Sequence, residues 1–92
     1  MEIQSGVATV GSNMESLLLK EFQITFPQEF NSEPVLVANT LEQANTKPHV
    51  NDTFAVSVKS TTTKDAIVHI RRVDGGTHWA QPLRLNWIAI AQ

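Results

Sequence analysis

The side chains best equipped for chemistry gather in two stretches. One holds His49, Asn51 and Asp52; the other runs from Arg71 and Arg72 through Asp74 to His78 and Trp79. Trp79 sits in a polar loop, between His78 and a nearby Gln81. An indole face takes the apolar C–H face of a sugar ring, while neighbouring Asn, Asp, Arg or His side chains hold its hydroxyls. Equally open is a structural role in which Trp79 plugs one end of the fold. Arg71 and Arg72 are adjacent, and adjacent strand residues face opposite sides, so one of them points into a packed region. That arginine is either half of a structural ion pair, with Asp74 or Asp52, or a donor to a ligand hydroxyl.

Other chemistries find little support. His49, His69 and His78 are widely spaced, and cysteine is absent. No His-x-His or His-x-x-x-His spacing exists, so no metal site is indicated and no cofactor is expected. A surface or interface role suits each histidine better. There is no G-x-S-x-G elbow, the carboxylates are scattered singly rather than paired as in glycosidases, and Gly75-Gly76 is too short to cradle a phosphate. Asn51-Asp52-Thr53 matches a glycosylation sequon, a triplet that arises readily by chance. The expectation is a binding protein and not an enzyme.

These residues need a scaffold, and the composition points to β-structure. Val, Ile and Thr supply 24 of 92 residues, against 8 Ala and 7 Leu. Such β-branched side chains suit a pleated surface and crowd a helix. Strand patterns run over 3–10, 21–26, 35–41, 53–60, 66–73 and 83–91, with 14–20 ambiguous between a strand and a helical turn. Pro27 and Pro34 frame a turn. Residues 43–52 and 74–78 are polar loops, and 61–65 is a tight connection. Runs at roughly ten-residue spacing without intervening helix predict an antiparallel sandwich or barrel. Phe22, Ile24, Phe26, Val35, Val37, Phe54, Val56, Val58, Val68, Ile70, Leu83, Leu85 and Trp87 are the expected core. Because strands 53–60 and 66–73 are neighbours, the loops before and after them are expected at one end.

Length and charge narrow the class. Residues 1–92 are read as a single domain. Seven basic and nine acidic residues give a net charge of −2, which lacks the basic excess of a nucleic-acid binder. No apolar run is long enough for a membrane span. Met1 to Gly6 lacks a signal-peptide pattern, so cytoplasmic synthesis is expected, with non-classical release and the final location left open. Ile67, Ile88 and Ile90 lie on the faces of their strands opposite the core residues. A two-sheet sandwich buries one face of each sheet, so either a loop or a neighbouring subunit must cover them.

Ile3-Gln4-Ser5-Gly6, Ile24-Thr25-Phe26 followed by Pro34-Val35-Leu36-Val37, and the closing Leu85-Asn86-Trp87-Ile88-Ala89-Ile90 together resemble the H-type lectin domain. This is the family of snail agglutinins and the discoidin C-terminal domain. Arg72-Val73-Asp74, Trp79 and Leu83-Arg84-Leu85-Asn86-Trp87 look like a microbial variant of the pattern. The resemblance spans essentially the whole chain. It implies a six-stranded antiparallel β-sandwich that forms a homotrimer or hexamer. It also implies calcium-free binding of galactose or N-acetylgalactosamine glycans near subunit junctions. Glu15, flanked by Asn13, falls at the family's acidic sugar contact, and a neighbouring subunit's copies of these residues would complete the pocket. No arginine stands between Asp52 and Phe54, where the family places one. The family's Trp-His pair falls near Asp74-Gly75, while His78-Trp79 follows a few residues later in reversed order. The alternative function is a trimeric structural or receptor-binding module, such as a phage-fibre tip, without independent sugar affinity.

Overall fold

The computed structural model describes residues 1–10, 19–41, 54–73 and 83–92. They form six strands: β1 (Glu2–Val10), β2 (Leu19–Thr25), β3 (Val35–Leu41), β4 (Phe54–Thr61), β5 (Asp65–Arg72) and β6 (Leu83–Ala91). All pairings are antiparallel, and two three-stranded sheets result, in the orders β1-β6-β3 and β2-β5-β4. This is the expected all-β sandwich. Of the ambiguous stretch 14–20, Leu19 and Lys20 open β2; residues 14–18 lie outside the described residues.

The core forms where the inner faces meet. Ile24, Ala66, Val68 and Ile70 come from one sheet, and Val10, Leu36, Leu83, Leu85, Trp87 and Ala89 from the other. Val68, Ile70, Leu83 and Leu85 are fully buried. Burying a side chain of this size contributes roughly 1.5–3 kcal/mol, which is how a short chain offsets the conformational entropy of ordering its backbone.

Three of the expected core positions differ. Val35 and Val37 are 71% and 58% exposed, and Leu36 is buried in their place. Val35-Leu36-Val37-Ala38 is apolar at four successive positions, so period-2 alternation alone cannot fix its phase. The buried Pro34 puts Leu36 and Ala38 on the inner side. Val58 shares the inward side of Phe54 and Val56 yet remains 42% exposed. It lies on an edge strand where the register with β5 shifts between Val58 and Ser60, and such a bulge bends the strand away from regular packing.

One end of the sandwich is closed by the 26–34 segment. Phe26 and Phe30 are buried and meet edge to face with centroids 5.0 Å apart. The Phe26 and Phe30 amides donate to the carbonyls of Lys64 and Thr63, at 3.0 and 2.9 Å, in the β4–β5 turn. The Gln4 side chain exchanges two hydrogen bonds with the Gln28 backbone, donating to its carbonyl at 2.8 Å and accepting from its amide at 3.1 Å. Thr63 and Thr61 hydroxyls donate to Glu29 and Glu33, at 2.9 and 2.8 Å. These bonds pin the two-proline turn across both sheets.

Candidate functional site

The opposite end collects the ends of all six strands. Val10 is paired with Leu83 and Leu41 with Arg84 in one sheet; Leu19 is paired with Arg71 and Phe54 with Arg72 in the other. The connections 11–18, 42–53 and 74–82 therefore all leave from this end, as expected for two of them. Asn13, Glu15, His49, Asn51, Asp52, Asp74, His78 and Trp79 belong to those connections and lie outside the described residues.

The two arginines at this end separate as strand alternation requires. Arg71 is exposed on the outer face of β5, between Leu19 and Ala55. Arg72 is half-buried opposite Phe54, on the side facing the other sheet. Only Arg72 is therefore directed to the interior side at the mouth from which the connections leave. Lys20, paired with Ile70, lies on the same inner side.

The outer faces of the sheets are chemically unlike. On the β1-β6-β3 sheet, Ile3, Ile90 and Val35 form one cross-strand row, and Ser5, Ile88 and Val37 the next. Val7, Asn86 and Asn39 form a third row, in which Asn86 Nδ2 donates to Asn39 Oδ1 at 3.2 Å. Ile3, Val7, Val35, Val37, Leu41 and Ile88 are exposed, and Ile90 is half-buried between its neighbours. The first two rows make a contiguous apolar surface, of the kind that marks an interaction site, and it gives way to the asparagine row and then to the exposed Arg84 between Thr9 and Leu41. Ile67 lies elsewhere: it is half-buried on the outer face of the other sheet, between Gln23 and Ser60. It therefore does not share a surface with Ile88 and Ile90.

The second outer face is polar. Glu21 Oε1 lies 3.0 Å from His69 Nε2 and 3.6 Å from Lys59 Nζ. The His69 hydrogen bond, followed by the Lys59 charge, holds the Glu21 carboxyl below its ordinary range. Glu21 is thus a stable anion at neutral pH and suits surface pairing, not proton transfer. Gln23 donates to Asp65 Oδ2 at 3.1 Å nearby. Among the described residues, no three His, Asp or Glu side chains gather to hold a metal ion.

A feature that the sequence reading missed lies at the open side of the sandwich. β3 and β4 come together along one side, whereas a cleft of about 300 Å³ separates β1 from β2 along the other. Ser5, Gly6, Val7 and Ala8 line it from β1, and Phe22, Gln23, Ile24 and Thr25 from β2, with Pro27 and Trp87 completing the wall. Gly6 lets the Trp87 indole pack closely on β1 and form this wall: a Cβ there would come within 2.7–2.8 Å of Cζ2, Cε2 and Nε1 of the indole. A glycine inside a strand signals this kind of close approach, and Gly6 and Ala8 on alternate positions of β1 were the available clue.

Antiparallel pairing, two three-stranded layers and connections gathered at one end define a small all-β sandwich domain. No family model matches the chain, and no curated protein matches it. Solved structures do. The chain is similar to part of the tailspike protein gp49 from Pseudomonas phage LKA1, with a TM-score of 0.67 and 18% identity over 97% of this chain. It is also similar to part of the Pseudomonas phage phi297 tailspike gp61, with a TM-score of 0.68 and 16% identity over 95% of this chain. In each case it covers 15% of the tailspike's length. At these identities the likeness is one of fold.

Proposed function

We propose that this chain is a trimeric assembly and receptor-binding module of the phage-fibre type, and that it does no catalysis. The carrying observation is the apolar outer face of the β1-β6-β3 sheet, centred on Ile88 and Ile90. The fold likeness to segments of two phage tailspikes supports it. Three copies placing this face toward a common axis would take its apolar rows out of solvent, and closed symmetry leaves no unpaired sticky surface. The Asn39–Asn86 rung within the face is suited to fixing the register between copies, since a polar pair must be matched when the surrounding rows are apolar. Light scattering tests the assembly: a trimer mass supports it, a monomer at micromolar concentration overturns it, and a dimer retains the face but removes the three-fold arrangement.

We also propose, as a second function of the same module, binding of galactose or N-acetylgalactosamine-type glycans at the end bearing the three connections. The convergence of segments carrying Asn13, Glu15, His49, Asn51, Asp52, Asp74, His78 and Trp79 favours it, with Arg72 at the adjacent strand end. Each site gains only a stacked ring and a few hydrogen bonds in competition with water, so trimerisation supplies avidity on a glycan-coated surface. A glycan array with wild type and Trp79→Ala tests it. Loss of binding at unchanged mass and melting temperature supports the site. Unfolding makes Trp79 a structural plug, and wild-type binding places any glycan elsewhere.

A further inference from the structure

We infer that the cleft between the β1 and β2 edges is a separate binding site for a neutral pyranose ring. The ligand class follows from the lining, and only that class is shared with the glycan-binding proposal above. None of the ten lining residues carries an ionisable side chain, so neither an anionic nor a cationic ligand gains an ion pair there. The half-buried Phe22 and the indole edge at Gly6 supply apolar surface, with Pro27 and the outward Val7 beside them. Ser5, Gln23 and Thr25, at outward positions of the two edge strands, make the rim polar. A neutral ring with an apolar C–H face and hydroxyls around its rim matches that combination. The volume, about 300 Å³, stands at the lower end of small-molecule pockets and suits one ring rather than a long oligosaccharide held within walls.

The architecture holds the cleft open. β1 and β2 are the edge strands of their sheets on this side, so alternate backbone amides and carbonyls along each face away from a partner strand and can reach a ligand. The far side of the sandwich is closed by the approach of β3 to β4, and the 26–34 segment fixes Pro27 at one end of the cleft through the Gln4–Gln28 bonds. Ala8 keeps an inward position of β1 small, so that a larger side chain there would fill the cleft, while the Trp87 indole takes the space over Gly6 and forms the wall. The site thus lies away from the strand ends that carry the three connections, and it borders the apolar outer face of the β1-β6-β3 sheet at Ser5 and Val7.

The test uses the full chain carrying Trp79→Phe, which leaves Trp87 as the one indole. Methyl α-galactoside, methyl α-N-acetylgalactosaminide and methyl α-glucoside are titrated at millimolar concentration while the Trp87 indole N–H and the Gly6 and Thr25 amides are followed by NMR. Saturable shifts at these three groups are expected. In the same background Ala8→Leu should weaken binding by about tenfold or more, and Thr25→Val, which keeps shape and removes a hydroxyl, by a smaller factor. If Ala8→Leu does not fold, Thr25→Val carries the comparison. Absence of saturable shifts with all three sugars overturns the inference, as does binding unaffected by both cleft variants. Sugar-dependent shifts at the Trp79 indole of the wild type, with Trp87 silent, overturn it while sustaining the loop-end site. A tighter response to an extended Val-Thr peptide than to any sugar overturns it in favour of strand addition along the edges.

Discussion

Gly6→Ala should destabilise the protein through one identifiable overlap. The added methyl carbon would sit 2.7–2.8 Å from three atoms of the Trp87 ring. Carbon atoms in contact settle at ~3.5–4.0 Å, so the shortfall is roughly 1 Å. The ring has little freedom to withdraw: Trp87 is 8% exposed, and Phe26 lies against it at 5.6 Å, backed in turn by Phe30. Overpacking of this kind costs about 1–3 kcal/mol. Against it, replacing glycine by alanine reduces the entropy of the unfolded chain by an amount worth ~0.4–1 kcal/mol where the native backbone permits. The net expectation is a loss of about 1–2 kcal/mol. For a domain of this size it lowers the melting temperature by about 5–15 °C. Urea unfolding followed by circular dichroism measures it, at one fixed protein concentration, because assembly makes the midpoint concentration-dependent. The mechanism is isolated by repeating the substitution in a Trp87→Phe background, where the smaller ring vacates the contested space and the cost should largely vanish. A Gly6→Ala loss of the same size in both backgrounds, or a gain in stability in wild type, would refute the packing argument.

Four further outcomes follow from other parts of the molecule. Leu85→Ala, at a fully buried site, should cost ~2–5 kcal/mol, and Phe54→Ala, at a half-buried one, less than the ~3–5 kcal/mol typical of a core phenylalanine; equal losses in denaturant titrations would contradict the burial difference. Ile88→Asp should dissociate the assembly by placing a charge at the centre of the apolar face, read as a fall in mass by light scattering with strand content retained or lost together; an unchanged oligomer would put the interface elsewhere. Because Glu21 titrates below its ordinary value in the folded state, its pairing contributes stability above the unfolded carboxylate pKa, and this is lost as pH falls through the depressed folded value. The stability difference between wild type and Glu21→Gln should therefore narrow as pH falls through the carboxylate range, and a difference that stays constant across that range would contradict the pairing. Trp79→Ala should remove glycan-array binding without changing mass.

The strands and most of the core were legible because their patterns were unambiguous. Phe22-Ile24-Phe26 and Leu83-Leu85-Trp87 alternate against polar or small neighbours, which permits one phase only, and these side chains do face inward. Strand 35–41 was misphased because valines flank Leu36, and β-branching identifies a strand without saying which face is buried. Phe30 escaped notice because it lies in a proline-framed turn, where no periodicity exists; its burial depends on a contact with Phe26 and a hydrogen bond to Thr63, both tertiary. The β1–β2 cleft is a property of sheet edges, and edge assignment needs the strand order. Ile67, Ile88 and Ile90 were each read as facing away from the core, but which sheet carries each one depended on the same missing order.

That order also separates the proposed activities physically. The assembly surface is the outer face of the β1-β6-β3 sheet, the loop-bearing end is where β1, β3 and β5 finish and β2, β4 and β6 begin, and the cleft lies along the β1 and β2 edges, meeting the assembly surface at Ser5 and Val7. Ile88, on the outer face of the central strand β6, and Thr25, on edge strand β2, belong to different sheets, and Trp79 belongs to the connection before β6. Substitutions at sites without shared partners act nearly additively, so Ile88→Asp, Trp79→Ala and Thr25→Val can be combined and read as independent perturbations. The one expected exception is informative. If glycan sites at the loop-bearing end are completed by a neighbouring subunit, Ile88→Asp must weaken the glycan affinity of each site as well as the avidity between sites, whereas a site built within one chain loses avidity alone. Titration of a monovalent methyl glycoside against a folded Ile88→Asp monomer distinguishes the two, because avidity plays no part in the binding of a monovalent sugar.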